Sequence, residues 1–591
     1  MQFFKNVLAT IVGLFLFCFL FFIIIVFVGV IAGGSGKEDV VTVEDNSVIE
    51  LDLSEVTEDY SGKFIFTDFE MLNSEPHKGL SDVLKAIETA KKDDKIKGIT
   101  ITNSTSLLGI AQSKALRDKL EEFKKSGKFV MAYSDSYSQR DYYINSVADT
   151  LYLNPVGDLD FKGLSLEVMF YKELQEKTGI TMEVIRHGKY KSAVEPFLAN
   201  EMSPANREQL TVLLNAEWDT FVTDISKSRK ISTDSLNSIA NRLGARNAEL
   251  AKQTGLIDKI GYKDQYISGI KKALKVKKDE EYNTVEILDY VKAHALDDLL
   301  ADAKDEVAVI YAQGEIAGGD GDVDVIGEKA ITDAFHAALD NESVKAIVLR
   351  VNSPGGSALT SELIWRQVEL AKKQKPVIVS MGNYAASGGY YISCGANRIF
   401  TEPGTITGSI GVFGVLPNFT KLSNNIGVHT ETVSTHDNAA GYSVFTPLDD
   451  KTREVLTKGV EDIYTTFVNR VATGRKMTPE AVDAIAQGRV WVGTDAVKLG
   501  LADEIGSLDD AVKYAAKMGK TDDYSVKNYP EYERSIEDLI NRLAGFPVVS
   551  AKEDMIREEV GEENYQVIQR IRRVTKLRGT QAVMPFEITI Q

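Results

Sequence analysis

Tyr390-Tyr391-Ile392, which follows the segment Ala385-Ala386-Ser387-Gly388-Gly389, repeats an earlier stretch of the chain, Tyr142-Tyr143-Ile144. The same offset of 248 positions, the distance from Tyr142 to Tyr390, aligns three further pairs of segments. They are Ile96-Lys97-Gly98-Ile99 with Val344-Lys345-Ala346-Ile347, Phe129-Val130-Met131 with Val377-Ile378-Val379, and Asn154-Pro155 with Glu402-Pro403. One register held over so long a span indicates an internal duplication.

Strands alternate with helices within the repeated unit. In the second copy, apolar runs predict strands at 307–311, up to about residue 351, and at 376–381, with a helix at about 361–373. Such alternation is typical of parallel βαβ units. A length of 591 residues is also too great for one hydrophobic core. The sequence therefore predicts an α/β fold made of two tandem domains.

The duplication sets the predicted domain boundaries. We expect a membrane anchor over residues 1–36, a first repeat over 47–276, a helical linker over 277–305, a second repeat over 306–517 and a C-terminal tail over 518–591. The linker is charged and contains neither Gly nor Pro. It is therefore predicted to pack against the repeats, unlike a flexible tether.

The N-terminus contains a long apolar segment. No charged residue occurs from Val7 to Ala32, and these 26 residues are enough to cross a hydrocarbon core of about 30 Å. We expect a retained, single-pass anchor in the cytoplasmic (inner) membrane; a signal peptide cleaved near Ala32-Gly33-Gly34 is the alternative. Lys5 precedes the segment, whereas acidic residues offset Lys37 after it, so both repeats are predicted to lie on the extracytoplasmic side.

The overall composition excludes one class of function. The formal net charge is −18, and a surface that binds DNA or RNA phosphates needs a local basic excess. No nucleic-acid partner is therefore expected. The two cysteines are too few for a disulfide framework. No cofactor and no metal ion is expected either.

The two copies differ in a complementary way. The second copy has Ser387 where the first has Gln139, and the first copy has Lys191 where the same offset gives Ala439. The second copy also has a glycine turn, Ser353-Pro354-Gly355-Gly356, which the first lacks. One copy thus keeps a candidate nucleophile and the other a candidate base.

Ser387 is the candidate nucleophile. It lies among small residues after an apolar strand, where a following helix would direct free amide groups toward a developing oxyanion. Gly356 could supply a second amide. A serine among Ala and Gly also occurs where elements simply pack closely, so this residue alone does not decide between catalysis and packing.

Lys191 is the candidate base, because a serine hydroxyl needs a neighbouring group that accepts its proton. Lysine can do this when desolvation lowers its pKa, and the flanking residues of Lys191 are unusually apolar. His436, in a polar loop, is the alternative base. A surface ammonium group with no catalytic role is the other interpretation of Lys191.

Four motifs in order resemble signal peptide peptidase A in its long, tandem-domain form. They are Tyr190-Lys191-Ser192-Ala193-Val194-Glu195-Pro196-Phe197, Asn352-Ser353-Pro354-Gly355-Gly356, Ala385-Ala386-Ser387-Gly388-Gly389-Tyr390-Tyr391 and Thr407-Gly408-Ser409-Ile410-Gly411. The resemblance implies crotonase-like α/β domains related to the proteolytic subunit of Clp protease. It also implies a membrane-anchored serine protease with a Ser/Lys dyad, whose substrates are hydrophobic remnant signal peptides.

The same resemblance implies roles for individual residues. Ser387 would be the nucleophile and Lys191 the general base. Ser409 would orient the lysine amine, while the amides of Gly356 and Gly388 would stabilise the oxyanion. Members of this family assemble, so a homo-oligomer in contact with membrane lipid is expected.

Two other classes of function are compatible with the predicted fold. One is a crotonase-like enzyme acting on acyl-CoA, which the predicted extracytoplasmic location disfavours. The other is a non-catalytic membrane scaffold in which the same residues are structural.

Overall fold

The computed structural model describes residues 13–14, 16–17, 20, 42–66, 76–300, 303–534 and 581–583. Apart from five positions, the predicted anchor over residues 1–36 lies outside this described part of the chain. No helix within the described part is both long and apolar enough to cross a membrane.

Twenty-two strands are described. They are β1 Ser47–Glu50, β2 Lys63–Phe66, β3 Ile96–Thr102, β4 Phe129–Ser134, β5 Thr150–Leu153, β6 Thr181–His187, β7 Lys259–Ile260, β8 Thr284–Glu286, β9 Asp305–Gln313, β10 Glu315–Ala317, β11 Val325–Gly327, β12 Val344–Ser353, β13 Gly355–Ser357, β14 Val377–Ala386, β15 Arg398–Thr401, β16 Ile406–Gly408, β17 Val412–Asn418, β18 Val490–Val492, β19 Glu504–Ile505, β20 Tyr524–Tyr529, β21 Glu531–Arg534 and β22 Gln581–Val583.

The described helices alternate with these strands. They are α1 Leu80–Lys92, α2 Ile110–Lys125, α3 Gln139–Asn145, α4 Lys172–Thr178, α5 Glu195–Leu198, α6 Pro204–Arg229, α7 Thr233–Asn241, α8 Ala248–Gln253, α9 Lys263–Leu274, α10 Ile287–Leu300, α11 Glu328–Asp340, α12 Ala358–Ala371, α13 Gly388–Ser393, α14 Thr420–Asn425, α15 Asp450–Arg475, α16 Pro479–Ile485, α17 Gly493–Lys498 and α18 Leu508–Gly519.

The first repeat is built on a six-stranded sheet in the order β7-β5-β4-β3-β1-β8. Every pairing in this sheet is parallel. The parallel arrangement follows from the helices that connect the strands, since a crossover helix returns the chain to the same end of the sheet. Most of its apolar side chains form a large core in which Ile99 and Leu116 are fully buried, and a smaller cluster contains Val48 and Tyr152.

The second repeat has a larger sheet with the main order β18-β16-β14-β12-β9-β20. Its central strands are parallel, and only β18 pairs in the antiparallel direction. Consecutive residues of β12, Val348 and Leu349, are both fully buried and belong to cores on opposite faces. Such burial explains why the strand sequence is a continuous apolar run without alternation. The predicted α/β fold with two tandem domains is confirmed.

A third sheet joins the two repeats. Its order is β11-β10-β13-β22-β17-β6, so it contains strands of both repeats and a short strand near the C-terminus. Strand β6 of the first repeat runs antiparallel to β17 of the second, from the pair Thr181 and Asn418 to the pair His187 and Val412. Because of this pairing, the residues that follow β6 lie against the second repeat.

A buried ion pair also connects the repeats. The Nε atom of Arg350, on β12, lies 2.7 Å from Oδ2 of Asp59, and the two side chains are 5% and 4% exposed. Gln112, on α2, donates a hydrogen bond of 2.8 Å to the other carboxylate oxygen of Asp59. Because a buried charge without its partner is costly, these contacts restrict how the repeats can pack.

The segments outside the repeats extend the sheets. Strand β8 pairs with β1 at the edge of the first sheet, and α10 follows it with Ile287 and Tyr290 fully buried in the first core. After the second repeat, β20 pairs with β9, and β21 pairs with β2 from the start of the chain.

Candidate active site

Ser387 lies at the junction between β14 and α13 in a strained backbone conformation. Its φ and ψ angles are 55° and −112°. A positive φ is costly for a residue with a Cβ atom and persists only where the surroundings enforce it. Here the Ser387 amide donates to the carbonyl of Gly408 at 2.8 Å, and its carbonyl accepts from Tyr391 N at 2.8 Å. The serine side chain makes no capping hydrogen bond to the helix that it precedes.

Lys191 reaches the same place from the first repeat. Strand β6 ends at His187, and Gly188, with φ of 108°, turns the chain toward the second repeat. Tyr190 N then donates to Gln487 O at 2.8 Å, and the Gln209 side chain donates to Tyr190 O at 3.1 Å. The main chain immediately before the lysine is therefore tied to both halves of the molecule.

The side chains of Lys191, Ser387 and Ser409 meet in a buried cluster. Lys191 Nζ lies 2.9 Å from Ser387 Oγ, 3.0 Å from Ser409 Oγ and 3.2 Å from Ser409 O. All three residues have 0% exposed surface. Ser409 also has a positive φ of 48°, and its amide donates to the carbonyl of Arg489 at 2.7 Å.

Burial disfavours the charged form of the lysine. Desolvation lowers the pKa of Lys191 well below its ordinary value of 10.5, because the charged ammonium loses its hydration in the interior. Among the described residues, its hydrogen-bond partners are the hydroxyl and carbonyl oxygens of Ser387 and Ser409, and none of them is a carboxylate that would stabilise the positive charge. A neutral amine beside a serine hydroxyl can accept the hydroxyl proton.

Two glycines allow the lysine side chain to enter this cluster. A Cβ atom at Gly488 would lie 2.6 Å from Lys191 Cβ, and one at Gly411 would lie 3.2 Å from Lys191 Cδ. The side chain therefore runs between two positions where only glycine leaves room. Gly488 was not predicted from the sequence, although its position two residues before the apolar strand β18 is a place where turn glycines are common.

The glycine turn of the second repeat lies beside the helix start after Ser387. A Cβ atom at Gly388 would be 3.1 Å from the amide nitrogen of Gly356, and one at Gly355 would be 2.7 Å from the amide nitrogen of Gly388. Gly355 has φ of 102°, which favours glycine at this position. The structure thus brings Gly356 and Gly388 together next to Ser387.

The residues at the equivalent positions of the other copy take no part in this cluster. Gln139 accepts hydrogen bonds of 3.0 Å from the amides of Lys162 and Gly163, so it holds a loop of the first repeat. Ala439 and His436 lie on an exposed segment after α14, where His436 Nδ1 is 3.0 Å from Thr435 Oγ1. Within the described residues, no group of three His, Cys, Asp or Glu side chains is arranged to hold a metal ion.

Comparison with known proteins identifies the family. The family model described as Peptidase family S49 matches residues 122–277 and 369–522, one segment in each repeat. Protease 4 of Haemophilus influenzae is 36% identical over 493 residues, which cover 80% of this chain and 79% of that protein. Protease 4 of Salmonella typhi is 36% identical over 79% of this chain and 76% of its own length.

A plant relative gives the same assignment. Serine protease SPPA of the Arabidopsis thaliana chloroplast is 33% identical over 433 residues, 72% of this chain and 64% of that protein. The matches extend across both repeats, as the duplication requires. With its tandem α/β domains, the chain belongs to peptidase family S49 and is a serine peptidase.

Proposed function

We propose that Ser387 is the nucleophile of this peptidase and that Lys191 is its general base. The observation that carries the proposal is the distance of 2.9 Å between Lys191 Nζ and Ser387 Oγ, in a site where desolvation lowers the pKa of the amine. In the first step, Ser387 Oγ attacks the carbonyl carbon of the scissile peptide bond while its proton passes to Lys191. The lysine then donates that proton to the leaving amine.

Ser409, Gly356 and Gly388 have supporting roles in this proposal. Ser409 offers both its hydroxyl and its carbonyl to Lys191 Nζ, which orients the amine toward Ser387. The amides of Gly356 and Gly388 lie side by side, where two donors can stabilise the oxyanion of the tetrahedral intermediate. Removing one such donor typically reduces kcat by about 100- to 1,000-fold.

The proposed substrates are hydrophobic peptides, in particular remnant signal peptides after secretion. The resemblance to signal peptide peptidase A and the apolar N-terminal segment support this assignment, because an anchored enzyme meets peptides that remain in the membrane. We further propose crotonase-like domains related to the proteolytic subunit of Clp protease, divided at residues 47–276 and 306–517.

The same proposal covers the location and the assembly. A single-pass anchor over residues 1–36 would hold the chain at the inner membrane in contact with lipid, with the catalytic domains on the extracytoplasmic side. The chain would assemble as a homo-oligomer. Mass measurement of the detergent-extracted protein tests the assembly, and protease accessibility in spheroplasts tests the orientation.

A serine-directed fluorophosphonate label tests the proposed nucleophile. Labelling at Ser387 in the wild-type chain, lost in Ser387→Ala and reduced in Lys191→Ala, is the expected result. Ser393→Ala is a matched control, because Ser393 is also buried, lies on α13 and donates its hydroxyl to the carbonyl of Gly389. Turnover of acyl-CoA thioesters without labelling would support a crotonase enzyme, and neither activity would support a scaffold.

A further inference from the structure

A cavity of about 300 Å³ lies between the two repeats. Helices α1 and α2 of the first repeat form one wall, while β12, the turn after β15 and the start of α18 form the other. Lys191, Ser387 and Ser409 are not among the residues that line it. Small-molecule sites have volumes of roughly 300 to 1,000 Å³, so this cavity is large enough for a small ligand.

The carboxyl group of Glu402 faces this cavity without a hydrogen bond. Glu402 is only 4% exposed and lines the cavity. Among the described residues, its hydrogen bonds all involve its main chain, as in the pair of 3.1 Å bonds that its amide and carbonyl make with Thr405. A buried carboxylate is costly unless an opposite charge or a hydrogen-bond donor accompanies it. The side chain is thus available to a cationic group of a ligand.

The charged groups that surround Glu402 come from three elements. They are Arg350 of β12, Lys114 and Asp118 of α2, and Asp510 of α18. Burial is the largest influence and raises the pKa of Glu402 to about 8. The two cations already have carboxylate partners, Arg350 in the buried ion pair described above and Lys114 in a contact of 2.8 Å with Asp118. They therefore leave the charge of Glu402 incompletely balanced.

Further carboxylates line the cavity nearer the solvent. The side chains of Asp509 and Glu122 are 50% and 47% exposed, and they share the ammonium group of Lys119, at 2.8 and 3.3 Å. In total, six carboxylates but only four cationic groups line the cavity. A concave surface with an excess of one charge attracts the opposite charge, so this cavity favours a cation.

We propose that this cavity binds a linear alkyl diamine, with one ammonium group on the carboxylate of Glu402 and the other at the carboxylates of Asp509 and Glu122. Its methylene chain contacts the apolar part of the lining, which consists of Leu80, Leu84, Ala115, Pro403, Ile505 and Leu508. An organic cation is favoured over a metal ion because, within the described part of the chain, no three acidic, His or Cys side chains are grouped to hold one. The ligand bridges the two repeats.

Calorimetric titration of 1,4-diaminobutane into the detergent-extracted full-length chain tests this proposal. We expect saturable binding that is at least tenfold weaker in Glu402→Gln, which removes the charge and keeps the size of the side chain. Ala115→Phe is expected to lose binding with Glu402 intact, because the larger side chain fills part of the cavity. Glu431→Gln is the matched control, since Glu431 is exposed on the segment after α14 and does not line the cavity. Circular dichroism checks that each variant is folded.

The pH and the chemistry of the probe provide further tests. Wild-type affinity is expected to increase about tenfold from pH 7 to pH 9, because Glu402 loses its proton near pH 8. We expect n-butylamine to bind at least tenfold more weakly than the diamine and butane-1,4-diol not to bind. Equal affinities of the wild type and Glu402→Gln, or of the diamine and n-butylamine, would overturn the proposal. Glu402-dependent binding of Mg²⁺ in preference to the diamine would assign the cavity to a metal ion instead.

Discussion

Lys191 Nζ and Ser387 Oγ are 2.9 Å apart although the two residues are separated by 196 positions in the chain. The antiparallel pairing of β6 with β17 brings them together, because it continues to His187, four residues before the lysine. Neither repeat contains both groups, so the contact depends on the packing of one repeat against the other.

Ser387→Ala and Lys191→Ala are each expected to reduce kcat/KM for an apolar peptide by about three orders of magnitude or more, because nucleophile and base act as a unit. Lys189→Ala is the matched control, since Lys189 is exposed and lies two residues away. Peptide hydrolysis and circular dichroism are the measurements. A folded Lys191→Ala variant with the wild-type rate would remove the lysine from the mechanism.

Peptide hydrolysis is expected to increase with pH and reach its plateau well below pH 10.5, the ordinary pKa of lysine. Only the neutral amine accepts the serine proton, and burial lowers the pKa of Lys191. The measurement is kcat/KM against pH under conditions where chemistry limits the rate. A rate that stays constant across the neutral and alkaline range would argue against a lysine base.

Lys191→Met is expected to stabilise the folded chain at neutral pH by about 1–2 kcal/mol. Between the lowered folded-state pKa and the ordinary value of 10.5, the unfolded wild-type chain binds a proton that the folded chain does not. Wild-type stability therefore falls as the pH decreases through this window and is constant below it. Denaturant unfolding at several pH values checks this, and identical pH dependence in both proteins would contradict a neutral buried amine.

Gly488→Ala is expected to reduce activity at least tenfold by displacing Lys191. The added Cβ would lie 2.6 Å from Lys191 Cβ, at a φ of +79°. Gly500→Ala is the matched control, because Gly500 has a similar φ of +76° but nothing within 4 Å of the added atom. Both variants suffer the same backbone strain, so their difference in kcat/KM isolates the contact with the lysine. Equal losses of kcat/KM in the two variants would mean that backbone strain, and not the contact with Lys191, reduces activity.

Ser409→Ala is expected to lower kcat by about one to two orders of magnitude, as for a misplaced catalytic group. The hydroxyl of Ser409 lies 3.0 Å from Lys191 Nζ, and an oxygen at this distance also stabilises the ammonium form. Its removal should therefore shift the pH profile of kcat toward lower pH. An unchanged profile with reduced kcat would indicate that Ser409 only supports the fold.

The sequence predicted those strands whose burial produces a recognisable run of apolar residues. Strands β12 and β14 are continuous apolar runs because both of their faces are covered, and the repeat register located their counterparts in the first copy. Ser387 and Lys191 were identified because each copy keeps a group that the other has lost. Such a comparison needs no knowledge of where the two residues lie in space.

Other features were not predictable because they depend on contacts between distant segments. The pairing of β6 with β17 joins strands from different repeats, and no periodicity in either strand specifies its partner. Strand β22 has only three residues, and its antiparallel partner β13 consists of two glycines and a serine. Gly488 matters only because the Lys191 side chain passes beside it.

The separation of Lys191 from Ser387 also determines when the proposed catalytic pair can form during biosynthesis. The serine is synthesised 196 residues after the lysine, and at about 5–20 residues per second this interval lasts roughly 10 to 40 seconds. Throughout it, β17 has not been synthesised and cannot pair with β6, because it follows Ser387 in the chain. A nascent chain that ends before the second repeat is complete thus cannot assemble the proposed pair of Lys191 and Ser387.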